Sequence, residues 1–242
     1  HQSTELEAEN LPAVLERTPT VLLLDTSSSM RNKTQTQSGE RKRKIDQLNE
    51  GIDLFDREVS DKDEANKRVD VAVVPFGGSP TVDQDFTPVD GWSAPKLSAG
   101  GRTPMGAAIR EAMSIVEDRK SSYHQDGIAY KRPLIWLLTD GKPTDMDTGD
   151  QKWNEIQREL ADGVENKHFE FFALGVNGAD MDKLNALVQK PTNRPALELK
   201  EGQFKEFFQF LSNSLAQVSD PDSDDDAQLD VDHLQQFTNV SL

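Results

Sequence analysis

The sequence predicts an α/β fold, a doubly wound and mainly parallel sheet with helices on both faces and one antiparallel edge strand. Three observations predict it. Apolar runs too short for buried helices alternate with stretches whose apolar residues recur every three or four positions. Two of those runs, residues 21–25 (VLLLD) and 134–140 (LIWLLTD), end on an acid. The order strand-then-helix repeats, and right-handed crossovers turn that order into a parallel sheet.

The elements follow in order. Residues 21–25 form a continuous apolar run, suited to a central parallel strand buried on both faces. Residues 31–44 (RNKTQTQSGERKRK) hold no apolar side chain and read as an exposed, mobile loop. Ile45, Leu48, Ile52, Phe55 and Val59 share one face of a helix. A second strand covers 69–76 and stops at Gly77-Gly78, and 82–89 alternates weakly, as an edge strand would. A loop rich in Gly, Ser and Pro fills 90–102. Thr103-Pro104 then opens a helix with Ala108, Ile109, Ala112, Met113 and Val116 inward. After the strand at 134–140, Trp153, Ile156, Leu160 and Val164 mark a helix, and 169–176 is a strand. Met181, Leu184, Leu187 and Val188 mark a short helix, and 196–199 is a short strand. A final amphipathic helix carries Phe204, Phe207, Phe208, Leu211, Leu215 and Val218. This divides the chain into an N-terminal arm (1–16), one domain (17–218), and an acidic linker with a tail (219–242). Apolar Leu229, Val231, Leu234, Phe237 and Val240 in the tail suit either disorder or docking.

Composition narrows the chemistry. The formal net charge is −16 over 242 residues, which disfavours nucleic acid and anionic membrane as partners. There is no cysteine, so disulfides and thiolate metal sites are excluded. No run reaches the length of a membrane-spanning helix, and the start lacks the pattern of a signal peptide. A reducing, cytoplasmic location is the expectation. The basic block at 41–44 reads as a solvated helix start.

Three segments fall at one edge of the predicted sheet: 25–29 (DTSSS) after a strand, 100–104 (GGRTP) before a helix, and 139–141 (TDG) after another strand. Ligands of such sheets bind beyond the carboxyl ends of the strands. Asp25, Ser27, Ser29, Thr103 and Asp140 offer only oxygen, the donor that hard cations such as Mg²⁺ require. Two carboxylates balance a divalent charge, and neutral hydroxyls leave the ion able to accept an outside carboxylate or phosphate. Taken singly, each residue has a plainer role: Asp25 in a turn, Thr103 as a helix cap, Asp140-Gly141 as a turn pair. Their joint placement favours the metal. Asp145 reads as a cap for the helix starting near Asp150, and Arg102 as solvated.

The strand followed by 25–30 (DTSSSM), with Thr103 and Asp140, resembles the metal-ion-dependent adhesion site of von Willebrand factor A domains. That resemblance implies direct metal contacts from Ser27, Ser29 and Thr103, and largely water-mediated ones from Asp25 and Asp140. Segments 97–109 (LSAGGRTPMGAAI), 130–145 (YKRPLIWLLTDGKPTD), 171–180 (FFALGVNGAD) and 204–214 (FKEFFQFLSNS) are most similar to TerY-like proteins of bacterial tellurite-resistance and stress operons. It implies a non-enzymatic interaction module in a phosphosignalling assembly, binding Mg²⁺, or alternatively Mn²⁺ or Ca²⁺. The partner would supply an acidic or phosphorylated group, and a Ser/Thr kinase or phosphatase is the kind of partner implied. A haloacid-dehalogenase-like phosphotransferase using Asp25 is the alternative, but it needs a second acid where Ser27 stands and a lysine over the site, for which the sequence offers no clear candidate. A scaffold with an unused metal site is the other alternative.

Overall fold

The computed structural model describes residues 15–62, 68–219, 236 and 238–239. Its sheet has seven strands in the order β5-β4-β1-β6-β7-β8-β9. They are β1 (Thr18–Leu24), β4 (Val69–Pro75), β5 (Gln84–Pro88), β6 (Leu134–Thr139), β7 (Glu170–Gly175), β8 (Leu197–Leu199) and β9 (Thr238–Asn239). A separate hairpin pairs β2 (Lys33–Gln35) with β3 (Arg41–Arg43). The helices are α1 (Lys44–Ser60), α2 (Met105–Asp126), α3 (Gln151–Glu165), α4 (Met181–Thr192) and α5 (Phe204–Val218), with a 3₁₀ turn at Ser28–Arg31.

The five central strands run parallel. Side chains alternate across each of them, and both faces are apolar. Leu22, Leu24, Val71, Val73, Trp136 and Leu174 face α1 and α5 in one core. Val21, Leu23, Ala72, Val74, Ile135 and Leu137 face α2, α3 and α4 in the other. Full burial of each such side chain contributes about 1.5–3 kcal/mol. Trp136 anchors the first core, stacked on Phe172 at 4.2 Å between ring centres with Phe207 edge-on at 5.7 Å.

The edge strand expected at 82–89 is β5, and it is antiparallel to β4. The opposite edge is antiparallel too, because Thr238 and Asn239 pair with Leu199 and Glu198. The chain after α5 therefore returns to the sheet at those two residues, which the linker-and-tail reading did not foresee. The acidic run at 220–226 and the apolar tail positions lie outside the described residues, as do residues 1–14 of the arm.

Residues 31–44 are not the unstructured loop that their polarity suggested. A hairpin needs paired backbone groups more than apolar side chains. Gly39 supplies the left-handed residue of the turn at φ 82°. Polar contacts then dock the hairpin: Gln47 Nε2 donates to Thr34 Oγ1 at 2.9 Å, and the Gln35 amide donates to Glu201 at 2.7 Å.

The chain leaves β1 toward β4 on one side and later enters β6 on the other. The sheet's switch point thus lies between β1 and β6. Loops leaving those two strands diverge there, and the crevice they leave is where α/β sheets bind ligands.

Candidate metal centre

Asp25 follows β1 and Asp140 follows β6, so the two carboxylates flank the switch point. The Asp25 amide donates to the Leu138 carbonyl at 2.9 Å, which ties the two strand ends together. Asp25 is 1% exposed and Asp140 4%. The turn after β1 folds back on its own acid. The Ser27 amide donates to Asp25 Oδ1 at 2.8 Å, and the Thr139 hydroxyl donates to Oδ2 at 2.7 Å. The 3₁₀ turn then lifts Ser29 over the site. Ser27 Oγ and Ser29 Oγ lie 2.9 Å apart, and Ser29 Oγ donates to Asp140 Oδ1 at 2.6 Å.

Thr103 arrives from the loop before α2. The helix begins at Met105 with Pro104 in the capping place, and Pro104 itself offers no side-chain capping hydrogen bond. The Thr103 hydroxyl is thus not consumed as the cap that its sequence position suggested. It faces the same crevice, since a methyl placed on Gly141 would lie 3.2 Å from Thr103 Oγ1 and 3.7 Å from Asp25 Oδ2. The structure brings all five sequence-predicted residues to one place. Ser27 and Thr103 are buried with the acids, and half-buried Ser29 stands at the mouth.

The electrostatics of Asp25 are set mainly by its burial. Burial pushes the Asp25 carboxyl above its ordinary value, hydrogen bonds from Ser27 and Thr139 pull it down, and the charge of Asp140 adds a smaller upward push. No cationic side chain among the described residues hydrogen-bonds Asp25. Nor does any cluster of three His, Cys, Asp or Glu side chains suited to a metal occur among them. A cation here would rest on two carboxylates and three hydroxyls, a donor set that fits Mg²⁺ and leaves room for waters or an outside oxygen.

A family model for the von Willebrand factor type A domain matches residues 20–210. The chain belongs to that family. Several solved structures share its fold. The pilus adhesin SpaC from Lactobacillus rhamnosus GG superposes with a TM-score of 0.61 at 16% identity, covering 83% of this chain and 31% of that one. The vWF domain of the type V pili tip protein Mfa5 from Porphyromonas gingivalis gives 0.58 at 12% identity, covering 88% and 99%. The PilB minor pilin from Streptococcus sanguinis gives 0.54 at 15%, covering 86% and 64%. This chain thus spans about a third of the first relative's length and nearly two thirds of the third's. A comparison with curated proteins finds no match.

In this von Willebrand factor A domain two residues take roles that the sequence reading did not give them. Lys44 ends the basic block at 41–44, whose sequence reads as solvated, yet it is only 5% exposed. Its ammonium donates to Asp140 Oδ2 at 2.5 Å and to the Asn177 carbonyl at 2.7 Å. The signal was present: Lys44 lies four and eight residues before Leu48 and Ile52, on the inward face of α1. A lysine therefore does stand beside Asp140, where the sequence offered no clear candidate. The acid at Asp25+2 remains absent, because Ser27 is there.

Asp145 is a cap, but for a different helix. Its carboxylate accepts from the Gly106 and Ala107 amides at 3.1 and 2.9 Å, closing the first turn of α2, and pairs with Lys152 at 2.5 Å. The start of α3 is capped by Asp150, which accepts from the Trp153 amide at 2.7 Å. Because α2 begins two residues after Thr103, Asp145 also fixes one wall of the site. Asp145→Ala is expected to cost about 0.5–2 kcal/mol of stability, the range for a lost helix cap, read from urea denaturation. Arg102 is exposed, as expected.

Proposed function

We propose that this domain is a metal-dependent protein-interaction module. One divalent cation, Mg²⁺ ahead of Mn²⁺ or Ca²⁺, would be held by Asp25, Ser27, Ser29, Thr103 and Asp140. The carrying observation is Asp25, a carboxylate 1% exposed that accepts from the Ser27 amide and the Thr139 hydroxyl and, among the described residues, from no cation. A buried anion in that state is costly, and a bound cation offsets the cost. When bound, the ion supplies Lewis acidity toward a carboxylate or phosphoryl oxygen of a partner. The protein's own part is to orient the oxygens: Thr139 fixes Asp25, Ser29 fixes Asp140, and the loops before α2 and after β6 form the walls.

The pilus adhesin and pili tip protein among the structural relatives support interaction as the role. A TerY-like phosphosignalling setting, with a kinase or phosphatase as partner, is supported by the four sequence segments named above. The cytoplasmic expectation likewise rests on composition; no helix among the described residues is long and apolar enough to cross a membrane.

A phosphotransferase reading gains a lysine from Lys44 but lacks the acid–base residue that must sit two positions after the nucleophile. In addition, both oxygens of Asp25 are engaged by Ser27 and Thr139. Calorimetric titration of Mg²⁺ and Mn²⁺ into wild type and Asp25→Ala tests the proposal. Wild type should bind one ion, and the variant should lose at least about tenfold in affinity, in keeping with loss of a charged group at a metal site. Equal affinity in the two proteins would overturn it.

A further inference from the structure

Lys44 joins three elements at one ammonium: it starts α1, pairs with Asp140 after β6, and reaches the Asn177 carbonyl after β7. A lysine so buried must be matched by an anion and further acceptors, and here it has both. The two oxygens of Asp140 are divided between two kinds of partner. Oδ1 accepts from Ser29, whose hydroxyl neighbours that of Ser27, while Oδ2 accepts from Lys44. The lysine thus takes the oxygen of Asp140 that the serine does not.

Formal charges give this arrangement its consequence. Asp25 and Asp140 contribute −2 and Lys44 contributes +1, so the site carries −1. A divalent ion brings it to +1, not zero. Without Lys44 the same ion would neutralise the two acids completely. An isolated positive balance in a buried site is unfavourable, and an incoming carboxylate or phosphate removes it. We infer that Lys44 is a built-in counter-cation that lowers the site's own affinity for a divalent ion and makes occupancy depend on an anionic ligand. Metal and anion then bind with positive coupling, and each raises the other's affinity by the same factor. The inference rests on the metal-site reading above and adds to it a residue that sets when the site is filled. An ordinary positioning lysine would act in the opposite direction, since its loss would leave Asp140 misplaced and weaken the metal.

The test uses the full chain and Mn²⁺ titrated by calorimetry at constant ionic strength, in sodium chloride and in sodium acetate. Wild type should bind Mn²⁺ at least about fivefold more tightly in acetate, the lower end of ordinary site–site coupling. Lys44→Met should bind Mn²⁺ about tenfold or more tightly than wild type in chloride, and acetate should add little. Lys44→Gln, which keeps donors for Asp140 and Asn177 without the charge, should behave as Lys44→Met does, and it serves if the methionine variant does not fold. Lys44→Arg should keep the wild-type pattern. The inference is overturned if acetate leaves wild-type affinity unchanged, or if the neutral variants bind Mn²⁺ no more tightly than wild type. If wild type and neutral variants all fail to bind Mn²⁺, the metal reading itself is overturned. Binding by wild type with no gain in the variants removes only the role of Lys44.

Discussion

Replacing Asp70 by alanine is expected to destabilise the fold by about 3–5 kcal/mol, the cost of removing one partner from a buried ion pair. Asp70 lies near the start of β4, at the edge of the sheet opposite the candidate metal centre, and is 0% exposed. Arg17 and Tyr123 both donate to it, and Arg119 donates at 2.7 Å. Arg119 also lies over the Tyr123 ring at 4.6 Å from its centre. Alanine would leave two guanidinium groups and a phenol around an apolar gap. Asp70→Asn keeps acceptor capacity and should cost less. Urea denaturation of the three proteins measures the difference, and a loss below about 1 kcal/mol for Asp70→Ala would show that the cluster adds little.

The same carboxylate predicts a pH dependence. Burial pushes the Asp70 carboxyl upward, but hydrogen bonds from Arg17, Tyr123 and Arg119 outweigh burial and hold it below its ordinary value. Burial, then the charge of Asp70, push the Tyr123 hydroxyl upward, so it stays a donor throughout the neutral range. A carboxyl depressed by folding contributes stability that is fully present above its unfolded value of about 3.9 and is lost as pH falls through its folded value. The gap between wild type and Asp70→Ala should therefore be constant near neutrality and narrow below about pH 4.

The strand and helix pattern was legible because both cores are apolar and periodic. Hydrophobic period says little about a segment such as 33–43, where backbone pairing and Gln47 hold a hairpin with almost no apolar surface. The five candidate ligands were legible because each follows a strand end or precedes a helix, and such ends cluster at one sheet edge. Asp70 was not, since its partners lie 49 to 53 residues away and an acid inside an apolar strand looks like a solvent-facing position. Lys44 was obscured by its neighbours: Arg41 and Arg43 are exposed, and only helix phase separates Lys44 from them. Thr139 was in view beside Asp140, but an inward hydroxyl at a strand end has no distinctive spacing.

Gly101→Ala is expected to be at least as damaging as the loss of Asp70, and to damage the site as well. Three loops meet where Gly101 approaches Gly77. The Gly100 amide donates to the Thr26 carbonyl at 2.7 Å, and the Ser28 amide and hydroxyl donate to the Gly101 carbonyl at 3.1 and 3.0 Å. Gly101 has φ 77°, and a methyl on it would fall 1.6 Å from the Gly77 carbonyl oxygen. Neither backbone can yield without moving the turn that carries Ser27 and Ser29. A left-handed residue alone costs a non-glycine side chain about 1–2 kcal/mol. Gly127, at the end of α2, measures that part by itself: its φ is 66° and nothing lies within 4 Å of an added methyl. Gly127→Ala should therefore cost about 1–2 kcal/mol and leave Mn²⁺ affinity unchanged. Gly101→Ala should cost about 3 kcal/mol or more, as overpacking adds to the backbone strain, and should weaken Mn²⁺ at least about tenfold by displacing the serines. Equal losses of stability in the two variants would mean that the loop junction is loose, and that the serines are held by the 3₁₀ turn alone.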